Sequence, residues 1–412
     1  MARRLSLRLR LPQRNCIVVL NGSELNPINR SLKGHNLFNY SIREVSVWVR
    51  PGYLLRLVRW TLRYGMAQAR LIALLATVRA HAVVGMEQTD RQNTLRSVSY
   101  ALPGVRIISI QQSRNFEAPH LSSTWGNLKN VRLLVWGDEL AKDIEKLGFS
   151  SSLQVPVGSL SLSYFVDAVG VPEPDKVIEL LVCVKSKHLG TSESYSDRKT
   201  AARWKLGGLS KHRLLADLGR YARDRGLTLT FPTDPRPGSG VTEQELRRFE
   251  QMSGAPCRLL SPEDLPQFPN RTQAESTYWT LLHSRVVVGV NTSLLWDSVA
   301  LRVPVVYSHY GESSYSWFPR LGNWVMHDPN YEQLAAELDE ARLITRAELE
   351  RRAALLNPYL RDPTMTSARS FLRFLICRSL NAQSLDDALT PDDIKNNLIS
   401  KTLNEMARGT AT

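Results

Sequence analysis

Between Ser284 and His309 the chain reads SRVVVGVNTSLLWDSVALRVPVVYSH. A β-branched run from Val286 to Val290 is followed by three small polar residues, a helix-forming stretch from Ser293 to Leu301, and a second run from Val305 to Tyr307. Two apolar strands joined through one short helix argue for a parallel pair, because parallel strands need a crossover connection. A parallel sheet must in turn be covered by helices on both faces. This short stretch therefore commits its surroundings to an α/β layered fold.

The same alternation runs through most of the chain. In the first half the reading gives a strand at Cys16 to Leu20, a long helix from Tyr53 to Arg79, and a strand at Ala82 to Met86. A helix near Thr94 to Ala101 and strands at Val105 to Gln111 and Val131 to Trp136 follow. Helix Glu139 to Leu147 leads to strand Leu153 to Val157, which runs into Gly158 and Ser159. The proline-bearing segment Val169 to Lys176 is the candidate linker.

The alternation then restarts with strand Val177 to Val184, helix Lys211 to Arg225 and strand Leu227 to Phe231. Helix Glu243 to Met252, strand Cys257 to Leu260 and helix Glu275 to His283 lead into the opening segment. Beyond Tyr331 three amphipathic helical pieces remain. A chain of 412 residues exceeds one ordinary core. The expected architecture is α/β, with two Rossmann-like domains facing across a cleft, residues 1–170 and 171–345, and a helical segment at 346–412.

Charge narrows the partners without choosing one. Lys and Arg number 53 against 39 Asp and Glu, a net charge of +14, which suits nucleic acid, anionic lipid or phosphorylated substrates. Five arginines fall in MARRLSLRLRLPQR, but no signal-peptide h-region follows them, and no apolar run reaches membrane-spanning length. A cytoplasmic protein is expected. Cys16, Cys183, Cys257 and Cys377 form no CxxC pair, and the histidines show no ligand spacing, so neither a metal nor a disulfide framework is expected. Three of the thiols sit in apolar runs and read as buried.

A strand, then Asn291, Thr292 and Ser293, then a helix can make an anion site, since a helix start offers unpaired N–H groups and a positive dipole end to a phosphate. The same residues can simply cap the helix. This segment by itself leaves both readings open.

A wider resemblance separates them. The block ESTYWTLLHSRVVVGVNTSLLWDSVALRVPVVYSH resembles the bacterial surface-carbohydrate biosynthesis proteins, in which a helical Tyr, a buried strand, an Asn-Ser-Thr-Leu turn and a helical Glu recur. The slots VVGMEQTD, IISIQQSRN and VPVGS match, in order, that family's Asp-Asn, Gln-Asn-Gly and Gly-Ser strand ends, and YSWFPRLGNWV resembles its Trp-Pro segment. Glu87 and Gln88 stand for Asp-Asn, Gln112 and Ser113 for Asn-Gly, Leu295 for a Gly, and Asp297 for the helical Glu.

The resemblance implies a glycosyltransferase of the two-domain GT-B type, with no cofactor besides its nucleotide-sugar donor. That donor is either CMP-activated Kdo or a UDP- or GDP-sugar, and the acceptor a growing surface glycan, free or lipid-linked. In such a fold the last helix crosses back onto the first domain, and SARSFLRFLICRSL is either that strap or an ordinary packing helix.

Roles then follow from chemistry. Thr292 and Ser293 are expected at phosphate and Asp297 at the ribose hydroxyls, with Asn291 in the same substrate-binding turn and Thr277 or Tyr278 lining the pocket. Lys185 and Lys187 would neutralise phosphate, or are solvated strand ends. Gln111 and Gln112 would bond sugar hydroxyls, beside Gly158 and Ser159. Glu87 and Asp90 are candidate bases for an acceptor hydroxyl, or turn and cap residues. Asp234, in TFPTDPRPGSG, is a candidate nucleophile for a retaining route, or part of a proline-glycine turn.

The helix from Tyr53 interleaves Arg56, Arg59, Arg63 and Arg70 with Leu54, Leu55, Leu57, Val58 and Trp60. It is either a packed helix with a basic solvent face or a face for anionic membrane. A sugar-nucleotide epimerase and a polyol-phosphate transferase share the expected fold. Nucleic-acid binding is disfavoured, because the charges are dispersed and no recognition motif appears.

Overall fold

A computed structural model describes residues 5–8, 10–20, 27–40, 45–86, 89–111, 131–146, 154–169, 175–184, 198–232, 243–260, 273–290, 292, 294–310, 324–360, 362–363, 368, 372 and 375–376. In chain order the elements are β1 (Leu5–Arg8), β2 (Ile17–Leu20), α1 (Pro27–Ser31), β3 (Leu37–Tyr40), β4 (Val45–Trp48), α2 (Pro51–Tyr64), α3 (Met66–Val78), β5 (Ala82–Met86) and α4 (Thr89–Ala101). Then come β6 (Arg106–Ile110), β7 (Val131–Val135), α5 (Asp138–Lys146), β8 (Gln154–Pro156), α6 (Leu160–Val169), β9 (Ile178–Cys183), α7 (Arg198–Arg225), β10 (Leu229–Pro232), α8 (Glu243–Ser253) and β11 (Cys257–Leu260). The series closes with α9 (Gln273–Leu282), β12 (Ser284–Gly289), α10 (Leu294–Ala300), β13 (Val305–His309), β14 (Val325–His327), α11 (Tyr331–Leu343) and α12 (Arg346–Leu356).

The chain divides into two compact units, one of residues Met1–Ala168 with Pro358–Thr412 and one of Val169–Asn357. The helical segment expected at 346–412 falls in both units by this division. Its first helix, α12, belongs to the second unit and the chain from Pro358 onward to the first.

The first unit carries a six-stranded sheet in the order β3-β2-β5-β6-β7-β8, with every pair parallel. Alternate strand residues feed two cores, as the two-residue period of a strand requires. Val18, Leu20, Val83, Ile107 and Leu133 pack on one face with α3, while Ile17, Val19, Val84, Ile108 and Leu134 pack on the other. The second face is closed by Ala368, Leu372, Leu375 and Ile376. Of the two readings of SARSFLRFLICRSL, the described residues Ala368, Leu372, Leu375 and Ile376 take the strap, since they lie in the first unit's core. The amide of Ala368 donates to Ser163 Oγ at 3.0 Å.

One expected element is divided. The helix from Tyr53 to Arg79 is broken at Gly65, whose φ of 79° and ψ of 160° lie outside the helical basin and suit a residue without Cβ. The break separates two environments. α2 keeps one face in solvent, whereas α3 buries Leu71, Ile72, Ala73, Leu74 and Leu75, and Arg70 with them. A small parallel pair, β1 with β4, lies just before α2.

The second unit carries a sheet in the order β11-β10-β9-β12-β13-β14, also parallel throughout. Its core gathers Leu180, Val182, Val286 and Val288 against Leu214, Leu218 and Tyr221 of α7 and Leu334 and Leu338 of α11. α7 and α8 cross where a Cβ at Gly219 would overlap the carbonyl of Ser253, so that crossing demands glycine. α11 begins with a capping box, in which Asn330 accepts from the Gln333 amide and the Gln333 side chain accepts from the Asn330 amide. α12 is held through Arg352, which bonds Glu348 at 2.6 Å and Glu340 at 2.8 Å and lies over Trp324.

Candidate functional site

Numbered by order of appearance within its own sheet, the second unit runs 3-2-1-4-5-6. The order reverses between β9 and β12, and in open parallel sheets ligands collect beyond the carboxyl ends of the strands at that reversal. β9 and β12 are in register there, with Cys183 opposite Gly289. The chain after β12 is the Asn-Thr-Ser turn into α10, so the topology puts the segment singled out by sequence at the switch point.

The backbone at Gly289 approaches Cys183 and Thr292 closely, and the glycine permits it. A Cβ at that position would lie 2.6 Å from the Cys183 carbonyl and 3.3 Å from the Thr292 methyl. Gly289 was passed over in the sequence, although a lone glycine ending a β-branched run is itself a sign of close backbone approach. Thr292 is buried, and its Oγ1 accepts the Leu294 amide at 3.3 Å. The capping reading therefore holds for Thr292, and the accepted bond leaves its hydroxyl proton available to donate. Asn291 and Ser293 lie outside the described residues, as do Lys185 and Lys187 beyond the end of β9.

Asp297 occupies the first turn of α10 and is 4% exposed. Among the described residues its Oδ1 has no hydrogen-bond partner. Loss of solvent pushes its carboxyl pKa up to about 7, against an ordinary value near ~4. A buried carboxyl group without partners is costly and is retained where something else satisfies it. In α9, Tyr278 is buried and Thr277 half-buried.

In the first unit, the order by appearance is 2-1-3-4-5-6, which places the reversal between β2 and β5. Glu87 follows β5 immediately, and it lies outside the described residues with Gln112 and Asp234. Asp90 falls on the backbone of α4, and the placement of its side chain is likewise outside them.

Gln111 follows β6 and is buried. Its Oε1 accepts the Trp136 amide at 2.8 Å and its carbonyl accepts the Trp136 indole N–H at 3.3 Å. Gln111 thus joins the ends of β6 and β7, while its Nε2 has no protein partner. Ser109, two residues earlier, also has a buried hydroxyl without a partner and was not singled out in the sequence. Gly158 has a φ of 87°, and Ser159 caps α6 by accepting the Leu162 amide at 3.3 Å. The Gly-Ser slot is therefore a chain reversal and a helix cap.

The C-terminal segment closes the neighbouring strand end. The Glu139 amide, at the start of α5, donates to the Pro358 carbonyl at 2.7 Å. A Cβ at Gly137 would overlap the backbone of Pro358 and Tyr359. The α5 start is thus satisfied by the chain's own backbone.

Cys16, Cys183 and Cys257 are buried free thiols, and burial pushes the Cys183 thiol up to about 12. Cys377 lies outside the described residues. Among the described residues no cluster of His, Cys, Asp or Glu is placed to hold a metal, and no helix is long and apolar enough to cross a membrane.

No protein-family model and no curated protein matches the chain. Solved structures do. A Listeria monocytogenes protein provisionally assigned as a UDP-N-acetylglucosamine 2-epimerase is 10% identical with a TM-score of 0.50, over 89% of this chain and 96% of that one. The Neisseria meningitidis UDP-GlcNAc 2-epimerase bound to UDP-GlcNAc gives 11%, 0.49, 89% and 99%, and Acinetobacter baumannii MurG 10%, 0.47, 88% and 99%. At such identities the likeness concerns fold alone, and with the two parallel sheets it makes the chain a pair of Rossmann-like α/β units of the GT-B type.

Proposed function

We propose that the chain is a glycosyltransferase that takes a sugar from a nucleotide-activated donor held by the second unit and passes it to a surface-glycan acceptor. The observation that carries this reading is Asp297, a buried carboxyl group with an unpartnered oxygen, one turn into the helix that leaves the switch point of a Rossmann-like sheet. The ribose hydroxyls of a nucleotide are donors that would satisfy it. Thr292 would donate to a phosphate, with Asn291 and Ser293 of the same turn and Lys185 and Lys187 beyond β9.

The CMP-Kdo type of donor and the UDP- and GDP-sugars all present a ribose and a phosphate to this arrangement. The base and the sugar are what a screen must identify. In the first unit, Gln111 Nε2 would donate to an acceptor hydroxyl, with Gln112 beside it. Glu87 or Asp90 would remove the acceptor proton, and Asp234 serves if the route is a retaining one. The acceptor is a glycan, and in its lipid-linked form it would hold the enzyme at the inner face of the cytoplasmic membrane.

Thermal-shift and calorimetric titration with CMP, UDP, GDP and their sugars test this. One nucleotide series is expected to bind. Ribose hydroxyls favour the ionised carboxylate, so its affinity should grow as pH rises through about 7, and Asp297→Asn should remove that dependence. Failure of every nucleotide to bind would sink the reading. Conversion of a free sugar nucleotide to its epimer without an acceptor would replace transferase by epimerase.

A further inference from the structure

α2 has two apolar sides, and only one of them is used. At the helical period, Tyr53, Leu57, Trp60 and Tyr64 fall on one stripe. Tyr53 and Leu57 are buried, and the Trp48 and Tyr53 rings meet edge to face at 5.3 Å, with Trp60 and Tyr64 packed against the same core. Leu55, Val58 and Leu62 fall on the opposite stripe and are 74%, 64% and 87% exposed. Met66, just past the Gly65 break, is exposed as well. A row of large aliphatic side chains on the outside of a well-anchored helix calls for a partner.

The charge beside that row says which kind. Arg56, Arg59 and Arg63 are all exposed and lie along one flank of the stripe. Arg59 and Arg63 lie over the neighbouring Trp60 and Tyr64 rings, so they are held on that flank by aromatic contacts rather than by acids. From Val45 to Met86 the sequence holds six arginines and no aspartate or glutamate. The pairing of β1 with β4 sets the backbone of Arg8 opposite Trp48, just before α2 begins.

A second copy of this chain, meeting α2 across a two-fold axis, would bring the same arginine-rich surface against itself without a carboxylate on this stretch to offset it. A sheet of anionic headgroups over acyl chains meets both needs, by taking the aliphatic row below the headgroups and leaving the guanidinium groups at phosphate level.

We propose that α2 is an in-plane docking helix for anionic lipid membranes, inserting Leu55, Val58 and Leu62 and pairing Arg56, Arg59 and Arg63 with lipid phosphates. Arg70, on the same basic face in the sequence reading, is buried and takes no part. The assignment rests on the α2 surface and stands whether or not the chain transfers sugar.

Sedimentation of the full-length protein with phosphatidylcholine vesicles, with and without about 30% phosphatidylglycerol, tests it. Binding is expected on the anionic vesicles alone and should fall steeply between about 50 and 300 mM salt. The combined Leu55→Ser, Val58→Ser, Leu62→Ser variant and the combined Arg56→Gln, Arg59→Gln, Arg63→Gln variant should each bind at least about tenfold more weakly. Their thermal unfolding and nucleotide binding should match wild type, since these side chains are exposed. A polarity-sensitive dye on Leu62→Cys should shift to the blue when anionic vesicles are added. The proposal is overturned if wild type ignores anionic vesicles, if the serine variant binds them as wild type does, or if sedimentation finds a dimer that this variant dissolves.

Discussion

The carboxyl edges of the two sheets are finished in different ways. In the first unit the ends of β6, β7 and β8 are tied by the chain itself: Gln111 bridges to Trp136, Ser159 caps α6, and Pro358 takes the Glu139 amide in the first turn of α5. In the second unit the end of β12 turns over Gly289 into a short helix and leaves a buried carboxyl oxygen with nothing to bond. In the first arrangement each bonded group returns its desolvation cost, while Gln111 Nε2 and Ser109 Oγ beside them have no partner among the described residues. The second carries an unreturned cost at the Asp297 oxygen, and the function proposed above has a nucleotide return it.

The contrast can be broken most forcefully at the strap. Leu372 is fully buried in the first unit's core with Leu375 and Ile376, so Leu372→Ala should remove about 2–5 kcal/mol of stability in denaturant titration. Hydrogen exchange should place the loss in β2, β5 and β6 and leave β9 and β12 protected. Equal loosening of both units would show that the strap is not a private part of the first.

Asp297 sharpens the other side. With its folded pKa raised to about 7, the native chain keeps a proton that the unfolded chain releases near pH ~4. Stability therefore falls as pH rises between those values and levels off above them. Asp297→Asn, which has no proton to lose, should gain on wild type across that window, to a ceiling of about 4 kcal/mol. Parallel melting profiles from pH 4 to pH 8 would mean that the carboxyl group is not isolated after all.

The smallest effect is expected at Thr292. Losing the bond to the Leu294 amide should cost about 1 kcal/mol, and a loss of nucleotide affinity beyond that would mark the hydroxyl as a ligand contact. Unchanged affinity would leave Thr292 as a cap alone.

Much of this was legible in the residues. Runs such as VVVGV and LLVCV could be satisfied only as buried parallel strands, and a βαβ unit has one favoured hand, so the layered fold and its repetition followed from local pattern. The position of Asp297 inside a helix after a polar turn was equally plain. Pattern could not show that Gly65 would end a helix rather than ride within it, since glycine is tolerated in helices and only its φ here decides. Nor could it separate capping from binding at Ser159 and Gln111, because the same side-chain oxygen serves either purpose until its partner is known.

The sequence by itself therefore determined the class of the fold and its two sheets, because these depend on periodicity and on residues adjacent in the chain. Only the tertiary structure decided that Ala368, Leu372, Leu375 and Ile376 complete the first core, that Gln111 Oε1 and Ser159 Oγ bond their own chain, and that Asp297 Oδ1 has no partner among the described residues. Satisfaction of a buried polar group depends on partners as far away as Pro358 is from Glu139. No local reading of either segment contains that information.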